Sequence, residues 1–355
     1  MKKILAILSI LGTIFYAFAA RAAENPFLSS EWWTTATPEM VKNAIRNGAD
    51  VKAKNDIGLT PLVYAASNNE HPEIIETLIK HGADVRARSK NGVTPLMYAA
   101  GNNPEIIETL IRNGADVKER ADDGLTPLMS AAQIAQNPKI IETLIKHGAN
   151  VKERADNGVT PLMYAASNNE HPEIIETLIR NGADVKERDE YGWTPLMYAA
   201  SNNPEIIETL IRNGADIEAK QKEGVTALMI SAKFGKSPEV LMALLKAGAN
   251  VKARSKNGVT PLMYAAGNNQ NPEIIETLIR NGADVNERDD MIGVTALMIS
   301  AKLGKSPEVL MALLKAGANV KARDNHGKTA LDYAKDNPHI YRTEAYWLLN
   351  DKMYE

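Results

Sequence analysis

The chain has no cysteine and few aromatic residues. Among its 355 residues there is no Cys, and Phe, Trp and Tyr together make up 5%. The absence of thiols excludes disulfide-stapled domains, cysteine-ligated metal sites and thiol catalysis. The 41 basic residues are balanced by 44 acidic ones, which excludes a globally basic nucleic-acid binder. With only four Phe and four Trp, the core has to be packed with aliphatic residues and Ala, which suits small helices stacked side by side.

The first 22 residues have the layout of a secretory signal peptide. Lys2 and Lys3 precede a largely apolar run over residues 4–18, and small residues follow it. Residues 20–22 (Ala-Arg-Ala) form the best cleavage site, and residues 17–19 (Ala-Phe-Ala) form the alternative. An uncleaved membrane anchor is the competing interpretation, but about 15 apolar residues are short for a membrane span. We therefore expect an exported bacterial protein, periplasmic or secreted, without a stable membrane span after cleavage.

One short motif recurs nine times at a nearly constant interval. Successive copies of Gly-x-Thr-(Pro/Ala)-Leu are separated by 32 to 35 residues. A fixed interval of this kind is the signature of a stacked repeat array. The copies begin at Gly58, Gly92, Gly124, Gly158, Gly192, Gly224, Gly258, Gly293 and Gly327.

The residues between two motifs predict a helix pair followed by a finger. Thr94 can cap a short helix that begins at Pro95. A second helix begins at Pro104 and carries apolar residues at helical spacing. Gly114 ends that helix in the left-handed conformation, and residues 117–123 extend as a finger. One such unit cannot bury its own apolar face, so its stability must come from stacking. The predicted buried stripe consists of Ile106, Ile107, Leu110 and Ile111.

These landmarks resemble those of the ankyrin-repeat family over residues 37–336. The resemblance implies an all-α solenoid of helix-turn-helix units with β-turn or hairpin fingers, acting as a non-catalytic binding scaffold. One departure is systematic, because the position that usually holds His after Thr-Pro-Leu never does so here. The family's histidine hydrogen bonds around this turn are then absent, which leaves the polar tie between turns in question. The substituted residues are Val63, Met97, Met129, Met163, Met197, Met229, Met263, Met298 and Asp332.

The two ends of the array differ from its interior. We expect a signal peptide at 1–22, an N-terminal capping helix pair at 23–55, ankyrin repeats at 56–326, and a C-terminal repeat with a capping helix at 327–355. Trp32 and Trp33 lie in the first cap, and Trp347 lies in a last helix predicted over residues 341–352. We interpret these tryptophans as lids on the core ends; a ligand-binding role is the alternative.

No residue pattern in the sequence is typical of catalysis. His81 and His147 occupy a position that holds Asn113 or Asn181 in other repeats, which favours a solvated helix end over a ligand. There is no phosphate-binding glycine loop, nucleophile elbow or metal-ligand spacing. We therefore expect no enzyme activity, no cofactor and no metal.

A basic residue occupies one equivalent position in all nine fingers. In one interpretation, each pairs with acids of its own or the next finger, such as Glu119, Asp122, Glu153, Asp156, Glu187 or Asp189, and stiffens the edge. In the other, the column binds an acidic partner, since the planar guanidinium fork suits carboxylates and phosphates. On the outer helices, Glu108 and Arg112 are four apart, in the order that favours an ion pair. The candidate partner-binding arginines are Arg88, Arg120, Arg154, Arg188, Arg254 and Arg288.

Two aromatic residues complete the candidate site. Tyr191 and Trp193 lie in one finger near the middle of the array, and aromatic residues with Arg are typical of binding hot spots. Packing within the finger is the alternative role for Trp193. We therefore expect a monomeric envelope scaffold that binds a protein, not nucleic acid, through a basic finger and inner-helix surface. A binder of anionic envelope polymers or lipid headgroups, or an accessory or inhibitor of an exported enzyme, remain as alternatives.

Overall fold

The computed structural model describes residues 25–355, so the expected signal peptide at 1–22 lies outside the described residues. That part of the chain contains twenty α-helices and no strand, and one isolated β-bridge joins Arg288 to Thr295. The fold class is therefore an all-α repeat solenoid, as expected. The chain divides into two compact units, the first ending at Asp156 and the second beginning at Asn157. No helix of the described part is long and apolar enough to cross a membrane.

The first unit consists of a helix pair followed by three further pairs. Short 3-10 turns lie at Pro26–Leu28 and Ala99–Gly101. Within each pair, the first helix is called inner and the second outer. The helices are α1 (Ser30–Thr35), α2 (Pro38–Arg46), α3 (Pro61–Asn68), α4 (Pro72–Lys80), α5 (Pro95–Tyr98), α6 (Pro104–Arg112), α7 (Pro127–Ile134) and α8 (Pro138–Lys146).

The second unit continues the same alternation of inner and outer helices and ends in one longer helix. Its helices are α9 (Pro161–Asn168), α10 (Pro172–Arg180), α11 (Pro195–Ala199), α12 (Pro204–Arg212), α13 (Ala227–Phe234), α14 (Pro238–Lys246), α15 (Pro261–Asn268), α16 (Pro272–Arg280), α17 (Ala296–Leu303), α18 (Pro307–Lys315), α19 (Ala330–Ala334) and α20 (Glu344–Tyr354).

The motif fixes where each inner helix begins. In α5, the Thr94 hydroxyl accepts a hydrogen bond from the Met97 amide at 3.4 Å, and Pro95 follows the cap, where its missing N–H costs nothing. Gly114 ends the outer helix α6 with a φ of 101°, a conformation that is strained for other residues. Local sequence therefore sets both ends of each helix pair.

The core of each unit lies between the stacked inner and outer helices. The Met residues after Thr-(Pro/Ala)-Leu are at most 2% exposed, so they fill the core where the family usually places His. In α6, Ile106, Ile107 and Leu110 are fully buried as predicted. Thr109 is also buried, whereas Ile111 is only half-buried, so Thr109 takes the place of Ile111 in the buried stripe.

Asparagine side chains provide a polar tie between successive repeats. In the second unit, the Asn269 amide donates to the carbonyls of Ala232 and Gly235, at 3.0 and 2.8 Å, and its oxygen accepts from the Asn271 amide at 2.9 Å. Asn69, Asn102, Asn202 and Asn337 make the same pair of amide donations to the preceding repeat. Side-chain amides thus tie the turn after each of these inner helices to the preceding repeat, at the opposite end of the helix from the motif that lacks the family's histidine.

The two ends of the described chain are closed differently. Trp33 is fully buried, donates its indole N–H to the Phe27 carbonyl at 2.9 Å and packs against the Phe27 ring, as a lid would. At the other end, Leu349 is buried but Trp347 is 52% exposed, so the interpretation of Trp347 as a lid was wrong. The last helix begins at Glu344 instead of residue 341, because Arg342 has a φ of 64° and Thr343 caps the helix.

Candidate partner-binding surface

The fingers are turns that are hydrogen-bonded to one another through their tips. In the finger after α6, the Gly124 amide donates to the Ala121 carbonyl at 3.0 Å, and the Ala121 amide donates to the Leu125 carbonyl at 2.9 Å. The Asp122 amide donates to the Asn91 carbonyl of the preceding finger at 3.1 Å. Each such bond sets the spacing of adjacent fingers, and therefore of their side chains.

Three of the candidate arginines form ion pairs with the following finger. Arg120 contacts Glu153 and Asp156, each at 3.0 Å, and also donates to the Arg154 carbonyl. Arg88 pairs in the same way with Glu119 and Asp122, and Arg254 pairs with Glu287 and Asp290. The geometry therefore gives these three arginines an internal role that stiffens the edge. Two acidic side chains of the following finger largely compensate the charge of each of these arginines.

The other three candidate arginines also contact neighbouring residues. Arg188 donates to the carbonyls of Gly192 and Lys220, at 2.9 and 2.7 Å, and Arg288 donates to the Arg323 carbonyl at 2.7 Å. Arg154 lies exposed at the equivalent position of the last finger of the first unit.

The charge pattern changes in the finger that follows Arg188. The two positions that hold acids opposite Arg120 are occupied by Ala219 and Lys222 in this finger. Lys220 donates to the Arg254 carbonyl at 3.3 Å, and Lys222 forms no ion pair among the residues that the structure describes. Lys222 thus lacks the acidic partner that the column has elsewhere, while Glu218 and Glu223 of its own finger carry the opposite charge.

Asp189 positions both aromatic candidates. It is only 7% exposed, and its carboxylate accepts hydrogen bonds from the amides of Tyr191 and Trp193, both at 2.8 Å, and from the Tyr198 hydroxyl at 2.7 Å. Asp189 is therefore not an ion-pair partner of the arginine column, contrary to one sequence-based interpretation. Burial, followed by the hydrogen bond to Asp189, raises the pKa of Tyr198 well above its usual range. The Trp193 ring is half-buried and lies 5.6 Å from the Tyr198 ring, whereas Tyr191 is 61% exposed.

We call Tyr191, Trp193, Tyr198, Lys220 and Lys222 the palm patch. Tyr198 belongs to a row of inner-helix tyrosines that the sequence analysis missed, although they lie at a constant position four residues after the motif threonine. Burial raises the pKa of Tyr98, and of Tyr264, above the usual value for tyrosine. The row in each unit offers flat, amphipathic rings on the inner-helix side. Its members are Tyr64, Tyr98, Tyr164, Tyr198, Tyr264 and Tyr333.

Outer-helix charges pair between repeats at Arg112 and Glu108, whereas Arg46 pairs with Glu39 within α2. Arg112 contacts Glu76 of the preceding repeat at 3.2 Å, and Glu108 contacts His147 of the following repeat at 3.0 Å. The expected Glu108–Arg112 pair was therefore wrong, because stacking brings other partners closer. Within residues 25–355, no three His, Asp or Glu side chains are grouped as metal ligands.

The comparison with family models gives one consistent result. The model for ankyrin repeats (3 copies) matches residues 34–121, 98–189, 128–221, 196–289 and 268–351. A search of curated proteins gave no match. Ankyrin repeats generally mediate protein–protein binding and are typically non-catalytic. Because these matches span nearly all of the described residues, the chain belongs to the ankyrin-repeat family.

Proposed function

We propose that this protein is a non-catalytic scaffold of the bacterial envelope that binds one protein partner through the palm patch. The observation that carries the proposal is Tyr191, a large ring that is 61% exposed although its backbone is fixed by the buried Asp189. A ring held in place in this way loses little conformational entropy when a partner covers it.

The surroundings of Tyr191 favour a partner with an acidic surface. Lys220 and Lys222 lie in the next finger, where the acids that neutralise the arginine column elsewhere are missing. Aromatic anchors beside cationic side chains are the composition of interface hot spots. The arginines at 88, 120 and 254 contribute by holding the fingers in register, since their guanidinium groups are already paired.

The chain itself supplies a variant that tests this role without disturbing the fold. Other repeats have Asn at the position of Tyr191 and Val at the position of Trp193, so Tyr191→Asn with Trp193→Val restores residues that already fold in this context. Tyr354→Ala is the matched control, because Tyr354 is 78% exposed but lies in the last helix.

Affinity capture followed by mass spectrometry distinguishes the outcomes. Residues 25–355 are immobilised and exposed to envelope and soluble fractions of the source cells. We expect one protein to be retained stoichiometrically by the wild type and by Tyr354→Ala. Its retention by the double variant should fall at least about tenfold, because the two substitutions remove one interface hot spot of modest energy. Equal retention by all three proteins would overturn the palm patch as the binding site.

Export is the second part of the proposal and rests on the composition of residues 1–22. Intact-mass measurement of the protein from the periplasm or medium should show a chain that begins at Ala23. A chain with Met1 intact and confined to the cytoplasm would contradict export. Solution scattering of the purified protein should give the mass of a monomer.

A further inference from the structure

A cavity lies near the C-terminal end of the second unit, away from the palm patch in sequence. A cavity of about 370 Å³ is lined by Ile292, Lys302, His326, Lys328, Tyr333 and Asp336. Its residues come from two successive finger tips and from the inner helices α17 and α19, together with the residues that follow α19.

Two lysines converge on the same aromatic ring in this cavity. The Lys302 ammonium lies 5.0 Å from the centre of the Tyr333 ring, and the Lys328 ammonium lies 5.4 Å from it. A ring face attracts a cation, but two cations held by one ring repel each other. An anion placed between them would relieve that repulsion.

Within residues 25–355, the nearby carboxylates form no ion pair with these two lysines. Asp324 is buried and already accepts hydrogen bonds from the Tyr333 hydroxyl at 2.5 Å and from the backbone amides of His326 and Lys328, both at 2.9 Å. Asp336 lines the cavity, yet neither lysine forms an ion pair within residues 25–355. The two ammonium groups thus line the cavity without an ion-pair partner among the described residues, although Asp324 and Asp336 formally balance their charge.

Lys328 is also an exception in the repeat pattern. The residue after the motif glycine is apolar in the eight other copies, and Lys replaces it only here. Lys302 has a counterpart in Lys233, whose ammonium lies 6.0 Å from the Tyr264 ring, but Val259 takes the place of Lys328 beside that ring. Among residues 25–355, the Tyr333 ring is thus contacted by a lysine at both of these positions, and the Tyr264 ring by a lysine at one of them.

We propose that this cavity binds a carboxylate from an acidic segment of the protein partner. The proposal rests on the proposed function. Ile292 and the Tyr333 ring offer apolar walls for the short carbon chain of a Glu or Asp side chain, and the two ammonium groups receive its carboxylate.

A direct binding measurement tests the site without the natural partner. The probe is a fluorescein-labelled tetraglutamate peptide with blocked ends, titrated with residues 25–355 at an ionic strength of about 0.01 M, where screening is weak. Anisotropy should report saturable binding. Lys328→Val, which restores the residue common at this position, and Lys302→Gln should each weaken binding about tenfold, as expected for one charged contact. Lys233→Gln, the matched control, should change the affinity for the peptide less than about twofold.

Any of the following outcomes would overturn the proposal that this cavity binds a carboxylate. An equal loss with Lys233→Gln would mean diffuse electrostatic attraction, and equal binding of a tetraglutamine peptide would mean that the carboxylates are irrelevant. Tighter binding of inorganic phosphate than of the peptide would reject the carboxylate assignment. A chain that captures its partner through Tyr191 and Trp193 but ignores the peptide would overturn this site and leave the proposed function intact.

Discussion

The asparagine tie between repeats leads to a quantitative prediction for Asn269→Ala. The Asn269 side chain is 7% exposed and makes three hydrogen bonds, two of them to carbonyls of the preceding repeat. A typical hydrogen bond contributes about 1 kcal/mol net, and a buried group left without a partner costs more. We therefore expect the free energy of unfolding to fall by about 3 kcal/mol.

The neighbouring residue provides a control of the same chemical type. Asn268 is exposed, and its amide donates only to the Tyr264 carbonyl of its own helix, at 3.1 Å. Asn268→Ala should lower the free energy of unfolding by less than about 0.5 kcal/mol, the usual range for surface positions.

Urea unfolding followed by circular dichroism, with hydrogen exchange, measures both variants. Because repeat arrays unfold less cooperatively than globular domains, hydrogen exchange should localise the weakened contact to residues 232–235. A loss below about 1 kcal/mol for Asn269→Ala, or equal losses for both variants, would refute the idea that this buried amide ties successive repeats together.

Three further predictions follow from buried hydroxyls, ion pairs and a tyrosine. Ser231 and Ser300 have buried hydroxyls without a hydrogen-bond partner within residues 25–355. Changing either serine to Ala should therefore raise the free energy of unfolding, measured in urea, by about 1 kcal/mol. A lower free energy of unfolding would contradict this prediction. Arg120→Glu should lower the free energy of unfolding by about 1–2 kcal/mol at low salt, because the ion pairs of Arg120 are partly exposed. This loss of stability should shrink at high salt, and a loss that does not depend on salt would contradict the ion-pair role. The hydrogen bond to Asp324, followed by burial, raises the pKa of Tyr333 to about 12, so the stability that it contributes should be intact below pH 10.0 and lost as the pH rises towards about 12. Absorbance titration should show that the Tyr333 hydroxyl ionises at a higher pH in the wild type than in Asp324→Asn. Identical titration curves would contradict the role of the Asp324 hydrogen bond.

The candidate site was less predictable than the fold. The arginine column was visible in the sequence because it repeats at one finger position, but both interpretations of it agreed with the pattern. Only the stacked fingers show that Arg120 meets Glu153 and Asp156, whereas Arg188 meets carbonyl groups. The sequence pattern is compatible with Asp189 as an ion-pair acid, but its carboxylate accepts hydrogen bonds from amides of its own finger and from the Tyr198 hydroxyl.

The sequence by itself determined the helix pairs and the repeat. Thr, Pro and Gly act within a few residues of the backbone they control, so Thr94, Pro95 and Gly114 fix helix ends without help from distant parts of the chain. Only the tertiary structure decided which charges and amides meet, since partners such as Glu108 and His147 are 39 residues apart. Such contacts depend on the rotation and spacing between stacked repeats, which no local pattern encodes.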